Sequence, residues 1–285
     1  MLKTRVDAER EIARARQEGR NPNFQRWIFR KGENLSKLDF SNADFDSADV
    51  SGADFTKSTF QDTHFQGTNC TGAKFLDTDL TDTNFSGARC QEATFTRTKF
   101  TRVNAHHAIF TGSTFKYVIF DDSLICHADF VGTKITGVTF KQSNLDHASF
   151  SKAQCTNITF TGTSLSHSDF EYANCTKITF KACREEDPIT PTVLNHTNFD
   201  AAAFFQVNFT DCDEQELMTT SMLNIKIFDP PTFLRLPDTK QKEILESAGI
   251  DIAALRAEPQ GAHLFLPITL QDEEEEKEPP TLSLG

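Results

Sequence analysis

The 285-residue chain has no run of 18 or more apolar residues, so no membrane-spanning helix is expected. Its start lacks the charged-then-apolar pattern of a secretory leader, and neither end carries a lipidation motif. A soluble chain without a leader is the expectation. Catalytic signatures are missing too: there is no glycine-rich phosphate loop, no Gly-x-Ser-x-Gly and no His-Glu-x-x-His. The seven cysteines are odd in number and include no Cys-x-x-Cys pair. Among aromatic residues, one Trp and two Tyr stand against 27 Phe.

Those phenylalanines are placed with a fixed period. Every fifth residue from Leu35 to Phe180 is apolar or cysteine, through 30 consecutive units, and 18 of the centres are Phe. Neither the 3.6 period of a helix nor the 2.0 period of a strand puts such a series on one face. A repeat that cannot bury its apolar face alone must stack on copies of itself, which makes the chain a solenoid. Two residues before each centre sits a small residue, as at Ala43, Ala48, Ala53, Ser58 and Thr63. The remaining positions are polar, as in Ala43-Asp44-Phe45-Asp46-Ser47.

This unit resembles the pentapeptide repeat: a small residue, Asp or Asn, Leu or Phe, then two polar residues. The resemblance implies an all-β solenoid, a right-handed quadrilateral β-helix with one unit per side and four units per coil. The centre and the small residue then point inward. With the centres grouped in fours, no coil carries four Phe. Before residue 100 the first and third faces are both Phe, as in Phe65 and Phe75; from Ile125 on, Phe occupies the second and fourth. The aromatic core is expected to change diagonal near Ala105 so that the interior volume stays balanced. The column from residue 33 to 182 should be about 36 Å long. Cys70, Cys90, Cys155 and Cys175 are centres, and Cys126, Cys183 and Cys212 are not. The cysteines read as reduced, buried thiols of a reducing compartment, although Cys70 over Cys90 and Cys155 over Cys175 could be bridged.

Breaks in the pattern divide the chain. Residues 1–32 are expected to form an N-terminal helical cap, with a helix over 2–19 and Trp27, Ile28 and Phe29 covering the first coil. The β-helix follows over 33–183, and 184–193 form an inserted, charged, proline-marked loop. Leu194, Phe199, Phe204 and Phe209 resume the period in a shifted register, giving a final coil over 194–213. A C-terminal helical cap over 214–260 is expected to hold one helix from Asp238 through Leu245 and a second after Asp251. Short α-helices thus cap both ends, which an open solenoid needs against edge-to-edge association. Residues 261–285 read as a disordered acidic tail.

Charge is uneven along the net −12 chain. Residues 1–32 carry +5, 33–82 hold ten acidic and three basic side chains, and 83–183 hold seven and ten. The tail, with Glu273, Glu274, Glu275, Glu276 and Glu278 before Leu282 and Leu284, resembles the Glu-rich translocation signals of type IVB (Dot/Icm) effectors. That resemblance implies export from a bacterial cytoplasm into the cytosol of a host cell.

One constellation carries chemistry. His107, His127, His147 and His167 recur once per expected coil, each two after a centre, and should form a vertical ladder on the outer surface. Asp129 and Asp169 follow two residues after two of them. Stacked imidazoles could serve a metal or a pH switch, or be only a residue copied by repeat duplication. No catalytic residue, cofactor or metal site is assigned. The chain reads as a non-catalytic protein-binding scaffold, an effector with a host protein partner, able to dimerise through a column end. Two alternatives stand beside it: a DNA-mimicking topoisomerase binder, and a metal- or pH-responsive binder using the histidine ladder. The basic patch Arg89, Arg97, Lys99 and Arg102 is too weak in an acidic chain to make nucleic acid the partner.

Overall fold

The structure, a computed structural model, describes residues 2–184, 189–209, 212, 214–227 and 236–247. Its body is a parallel β-solenoid. Short strands pair with their equivalents one coil on, as in Phe75↔Phe95↔Phe115↔Ile135↔Cys155↔Cys175 on one wall. Phe100↔Phe120↔Phe140↔Phe160↔Phe180 runs down the next. Every fourth unit thus returns to the same wall, and the column has four walls.

Each position of the unit has a physical task. The centre's carbonyl accepts from the amide three residues on, as Phe45 O does from Ala48 N at 2.8 Å, closing a tight corner. The second residue after the centre is left-handed there: Ser47 has φ 59° and His127 φ 57°. The Asp or Asn before the centre caps that turn. Asp49 Oδ1, for instance, accepts from Ser51 N at 2.9 Å. The small inward residue is most often Ala, Ser or Thr. A Thr there can bond its buried hydroxyl to a carbonyl, as Thr63 Oγ1 does to Phe40 O at 2.8 Å and Thr68 Oγ1 to Phe45 O at 2.7 Å, while Thr78 Oγ1 donates to Thr98 Oγ1 at 3.3 Å.

The centres fill the interior and stack in columns. Phe45, Phe65 and Phe85 stack at 4.9 and 4.7 Å, and Phe75, Phe95 and Phe115 at 4.9 Å. Phe110, Phe130, Phe150 and Phe170 then stack on another wall at 5.0, 4.7 and 4.7 Å. The crossover falls in the coil of Ala105, Phe110, Phe115 and Phe120, where Ala105 ends the first column. Each buried Phe is worth about 1.5–3 kcal/mol of transfer free energy.

The ladder extends beyond both expected limits. Asn23↔Asp44 and Ile28↔Asp49 are bridges, so the coil begins inside the 1–32 segment. Phe24 and Phe29 are coil centres: Phe24 stacks on Phe45 at 4.6 Å. One extra residue lies between Phe29 and Leu35, which throws them out of phase with the later centres. Phe29 is thus a centre of the first coil and Ile28 faces solvent at 53% exposure, while Trp27, partly buried, packs on Phe24 and Phe29 at 5.1 and 5.8 Å. The cover is helix α1 (Arg5–Glu18), with Ala8, Ile12 and Ala15 buried against the column. A capping box between Thr4 and Asp7 starts α1, and left-handed Gly19 ends it.

Beyond residue 184, Ser164 pairs with Val193 and Cys175 with Phe204, a longer step than in any regular coil, because nine residues are inserted. The insertion closes at its base by the antiparallel Cys183↔Thr190 bridge. Pairing continues past 213 through Asn198↔Ser221 and Phe204↔Ile227, with helix α2 (Glu214–Thr219) carrying the buried Leu217, whose carbonyl accepts from Thr220 N at 3.3 Å. Helix α3 (Asp238–Ser247) buries Ile244 and the shaft of Lys240, whose Nζ donates to Thr220 O and to Glu243. The helix expected after Asp251 and the acidic tail lie outside the described residues. Among those described, no helix is long and apolar enough to cross a membrane.

Candidate functional site: a histidine corner

The four predicted histidines do form one ladder. Ring centroids of His107, His127, His147 and His167 follow one another at 4.9, 4.7 and 4.9 Å, with planes 25°, 0° and 4° apart. Each occupies the left-handed corner position, which histidine tolerates better than bulky or β-branched residues. Backbone bonds fix the corners: His107 N donates to Cys126 O at 3.1 Å, His127 N to Asp146 O at 2.9 Å and His147 N to Ser166 O at 2.9 Å.

Two members escaped the sequence reading. His196 continues the stack 5.0 Å from His167, across the nine-residue insertion. It lies two residues after Leu194, and that relation to a centre was the available signal; the constant spacing of the other four was not. His106 precedes His107 and adds a ring at another angle, 4.1 Å from His107 and 5.5 Å from His127, with the latter planes at 83°.

The neighbouring column, one residue earlier in each coil, places Cys126 beside His127 and Asp146 beside His147. Cys126 is half-buried; burial pushes its thiol up, and Asp146 adds to that. His127 is shifted down by desolvation first and then by His147, His107 and His106, with Asp146 opposing. Asp129 and Asp169 do not join the ladder. Asp129 accepts from Thr111 Oγ1 and Val131 N, and Asp169 from Glu171 N and Asn198 Nδ2. Two residues on from the corner, the chain has already turned onto the next wall.

A second cluster combines Asp44, Asp46 and His64, whose ligand atoms lie within 4.8 Å of one another. Asp44 caps its turn through Asp46 N and accepts from Gln25 Nε2; Asp46 accepts from Gln66 N. Burial, then Asp44, pushes the Asp46 carboxyl up. Its members come from two adjacent coils.

Elsewhere the surface is less available than the sequence implies. Arg97 is paired with Asp77, and Arg102 with Asp82, each through two nitrogens one coil apart, which neutralises half of the basic patch. At the position before the centre aspartates do not stack into stripes either: Asp44, Asp49 and Asp54 are followed one coil on by His64, Asn69 and Lys74. All seven cysteines are free thiols. Burial, then Cys90, raises the Cys70 thiol, while for Cys175 its hydrogen bond to Cys155 is the larger cause and burial the second. The Glu-rich tail, Glu273 to Leu284, lies outside the described residues, as do 185–188 of the inserted loop.

A four-walled parallel β-helix built from five-residue units defines the class of protein. Pentapeptide repeats match in eight copies, over residues 34–62, 63–102, 78–116, 126–162 and 148–184, and the chain belongs to that family. Among the solved structures similar to it are HetL and QnrB1. HetL, a pentapeptide repeat protein involved in heterocyst differentiation regulation from the cyanobacterium Nostoc sp. strain PCC 7120, is 16% identical. The match covers 77% of this chain and 96% of HetL, at a TM-score of 0.46. Full-length QnrB1, a plasmid-mediated fluoroquinolone resistance protein, is 15% identical over 76% of this chain and 100% of its own, at 0.45. No curated protein matches in sequence.

Proposed function

We propose that this pentapeptide-repeat chain is a non-catalytic scaffold that binds a protein partner through its outer surface. The observation that supports it is the division of the unit into a filled interior and a fixed exterior. Centres from Leu35 to Phe180 are at most 2% exposed, so the recognition surface is the outer lattice of corner and wall residues. Those side chains hang from hydrogen-bonded corners, and ordering them on binding costs little entropy. The histidine corner, the base of the inserted loop at Cys183 and Thr190, and the C-terminal helices are the contact candidates. A topoisomerase-binding DNA mimic is less well supported, because the aspartates alternate with neutral and basic residues along the walls.

The test is site-specific photo-crosslinking from His147, Thr96 and Met218 in the full chain. One partner crosslinked from one face, and lost when that face is substituted, supports the scaffold reading; crosslinking from every position alike, or from none, overturns it. Delivery to a host cell is the finer proposal and rests on the tail sequence. It is tested by comparing reporter fusions of the full chain and of a chain ending at Leu270 in a bacterium carrying the type IVB apparatus. Equal delivery, or none, would sink it. Self-association through a column end is a separate proposal, read by sedimentation.

A further inference from the structure

Between Thr94 and Lys181 the paired strands lie on only two of the four walls, within the spans 94–101, 114–121, 134–141, 154–161 and 174–181. Charge divides along the same line. Those five spans hold seven basic residues and one acidic one, Asp121. The four segments between them form the other two walls, carry the histidine ladder, and hold two basic and five acidic residues. In the coil before, residues 74–81 set Asp77 and Asp79 against Lys74, so the basic face starts at Thr94. Lys99, Lys116, Lys134, Lys177 and Lys181 on that face are exposed, and among the described residues none of them forms an ion pair. Threonines fill the places between: Lys116 lies in register between Thr96 and Thr136, and Thr156 and Thr176 follow. Their hydroxyls can donate to a carboxylate. Coils stand about 4.8 Å apart, within the screening length of about 8 Å at physiological salt, so lysines of neighbouring coils attract an anion jointly.

We propose that these two walls dock an acidic segment laid along the column, and that its occupant is the chain's own Glu-rich stretch, residues 272–278. That stretch holds six acidic residues and one Lys. It is tethered within reach. Asp272 follows Ser247 by about 25 residues, which span at most about 80–90 Å. The near edge of the face is two coils from the C-terminal end, since Asn174 pairs with Ala203 and Ala203 with Lys226. Four coil steps, about 19 Å, then cross the whole face. The other surfaces compete poorly. The remaining two walls and the column above Thr94 carry net negative charge and repel the stretch. In α1, Arg5 is paired with Glu9, Arg14 with Glu18, Arg16 with Asp39 and Arg20 with Glu11. Single surface ion pairs are weak, but a tether raises the effective concentration of the stretch to the millimolar range, where several of them together hold it. Docking covers the basic face until a receptor for the tail competes for the stretch.

This inference rests on neither the scaffold reading nor delivery, and its test needs no partner. The full chain is treated with a water-soluble carbodiimide, which joins a carboxylate to an amine in contact with it, and the joined peptides are identified by mass spectrometry. Mixing isotope-labelled and unlabelled chains separates joins within one copy from joins between copies. The expected result is joins within one copy from the carboxylates of 272–278 to Lys99, Lys116, Lys134, Lys177 and Lys181, weakened by added salt. Lys116→Gln with Lys134→Gln should lower the yield at Lys99, Lys177 and Lys181 roughly threefold or more, whereas Lys37→Gln with Lys152→Gln should leave it unchanged. All four lysines are exposed, so both variants should fold, as a thermal melt will show. As a second reading, changing Glu273, Glu274, Glu275 and Glu276 to Gln in the full chain should speed acetylation of Lys116 and Lys134 and leave Lys152 as it was. Joins spread evenly over all exposed lysines, no joins at the five, or acetylation unmoved by the tail change overturns the proposal. So do two further results. Joins mainly between copies would give the face to the tail of a second chain. A DNA duplex bound through the same lysines, with the tail making no joins, would give it to nucleic acid.

Discussion

Inside the column Phe130, Phe150 and Phe170 stack at 4.7 Å with planes 2° and 9° apart. On the corner outside, three residues earlier in each coil, His127, His147 and His167 stack at 4.7 and 4.9 Å with planes 0° and 4° apart. The two stacks share one backbone lattice, and that lattice sets their nearly identical spacing. They differ in what surrounds them. The phenylalanines are at most 1% exposed and gain transfer and packing free energy from every coil added. The imidazoles face water, so their stacking adds little to stability and leaves their nitrogens available. Geometry alone therefore does not say whether a stack is structural; burial does.

The sharpest way to break the comparison is to truncate one member of each stack. Phe150→Ala should lower the free energy of unfolding by about 3–5 kcal/mol, because the rigid coils above and below cannot collapse into the void. His147→Asn should leave the denaturation midpoint close to that of the native chain. Comparable losses in guanidinium titrations of the two would contradict the division between inside and outside.

A smaller effect tests volume balance within the inner stack. Ala105 shares its coil with Phe110, Phe115 and Phe120 and is fully buried. Ala105→Phe would give that coil four Phe centres and should cost roughly 1–3 kcal/mol by overpacking. Adding Phe115→Leu should recover part of that loss. If Ala105→Phe is neutral or stabilising, the change of diagonal there is not a packing device.

The inner stack was legible from sequence because burial on a period of five leaves a composition signal at each centre. It failed where the period slipped. The one extra residue between Phe29 and Leu35 hid the first coil, and the nine inserted before Leu194 hid His196 from a search at constant spacing. The outer ladder was visible only as spacing, since a corner residue has no required chemistry beyond a left-handed backbone. His106, the Cys126 and Asp146 column, and the cluster of Asp44, Asp46 and His64 needed the coil register, because their members come from adjacent coils. Helix α2 gave no sign in the repeat, whose period is broken there by extra residues between Asn198 and Ser221. The cap over Asp238–Ser247 was readable, since its start at Asp238 and its apolar Ile244 lie in ordinary helical order.

The smallest effect separates the stacks by charge. His127 has its pKa lowered by desolvation and then by His147, His107 and His106, against the pull of Asp146. A folded pKa below the unfolded one means that the unfolded chain takes up protons first as pH falls. The contribution of His127 to stability is therefore complete above the ordinary histidine pKa and is lost as pH drops through the folded value. The thermal midpoint should fall slightly across that acidic window, and less so in His147→Asn, which removes the largest of the neighbouring positive charges. Two-dimensional NMR of the imidazole resonances should show His127 titrating below a free histidine and moving up in His147→Asn. Phe150→Leu, three residues beyond His147 on the inside of the same coil, should leave that titration where it was. A His127 that titrates like a free histidine, or that does not respond to His147→Asn, would mean that the outer rings are neighbours in space without being coupled in charge.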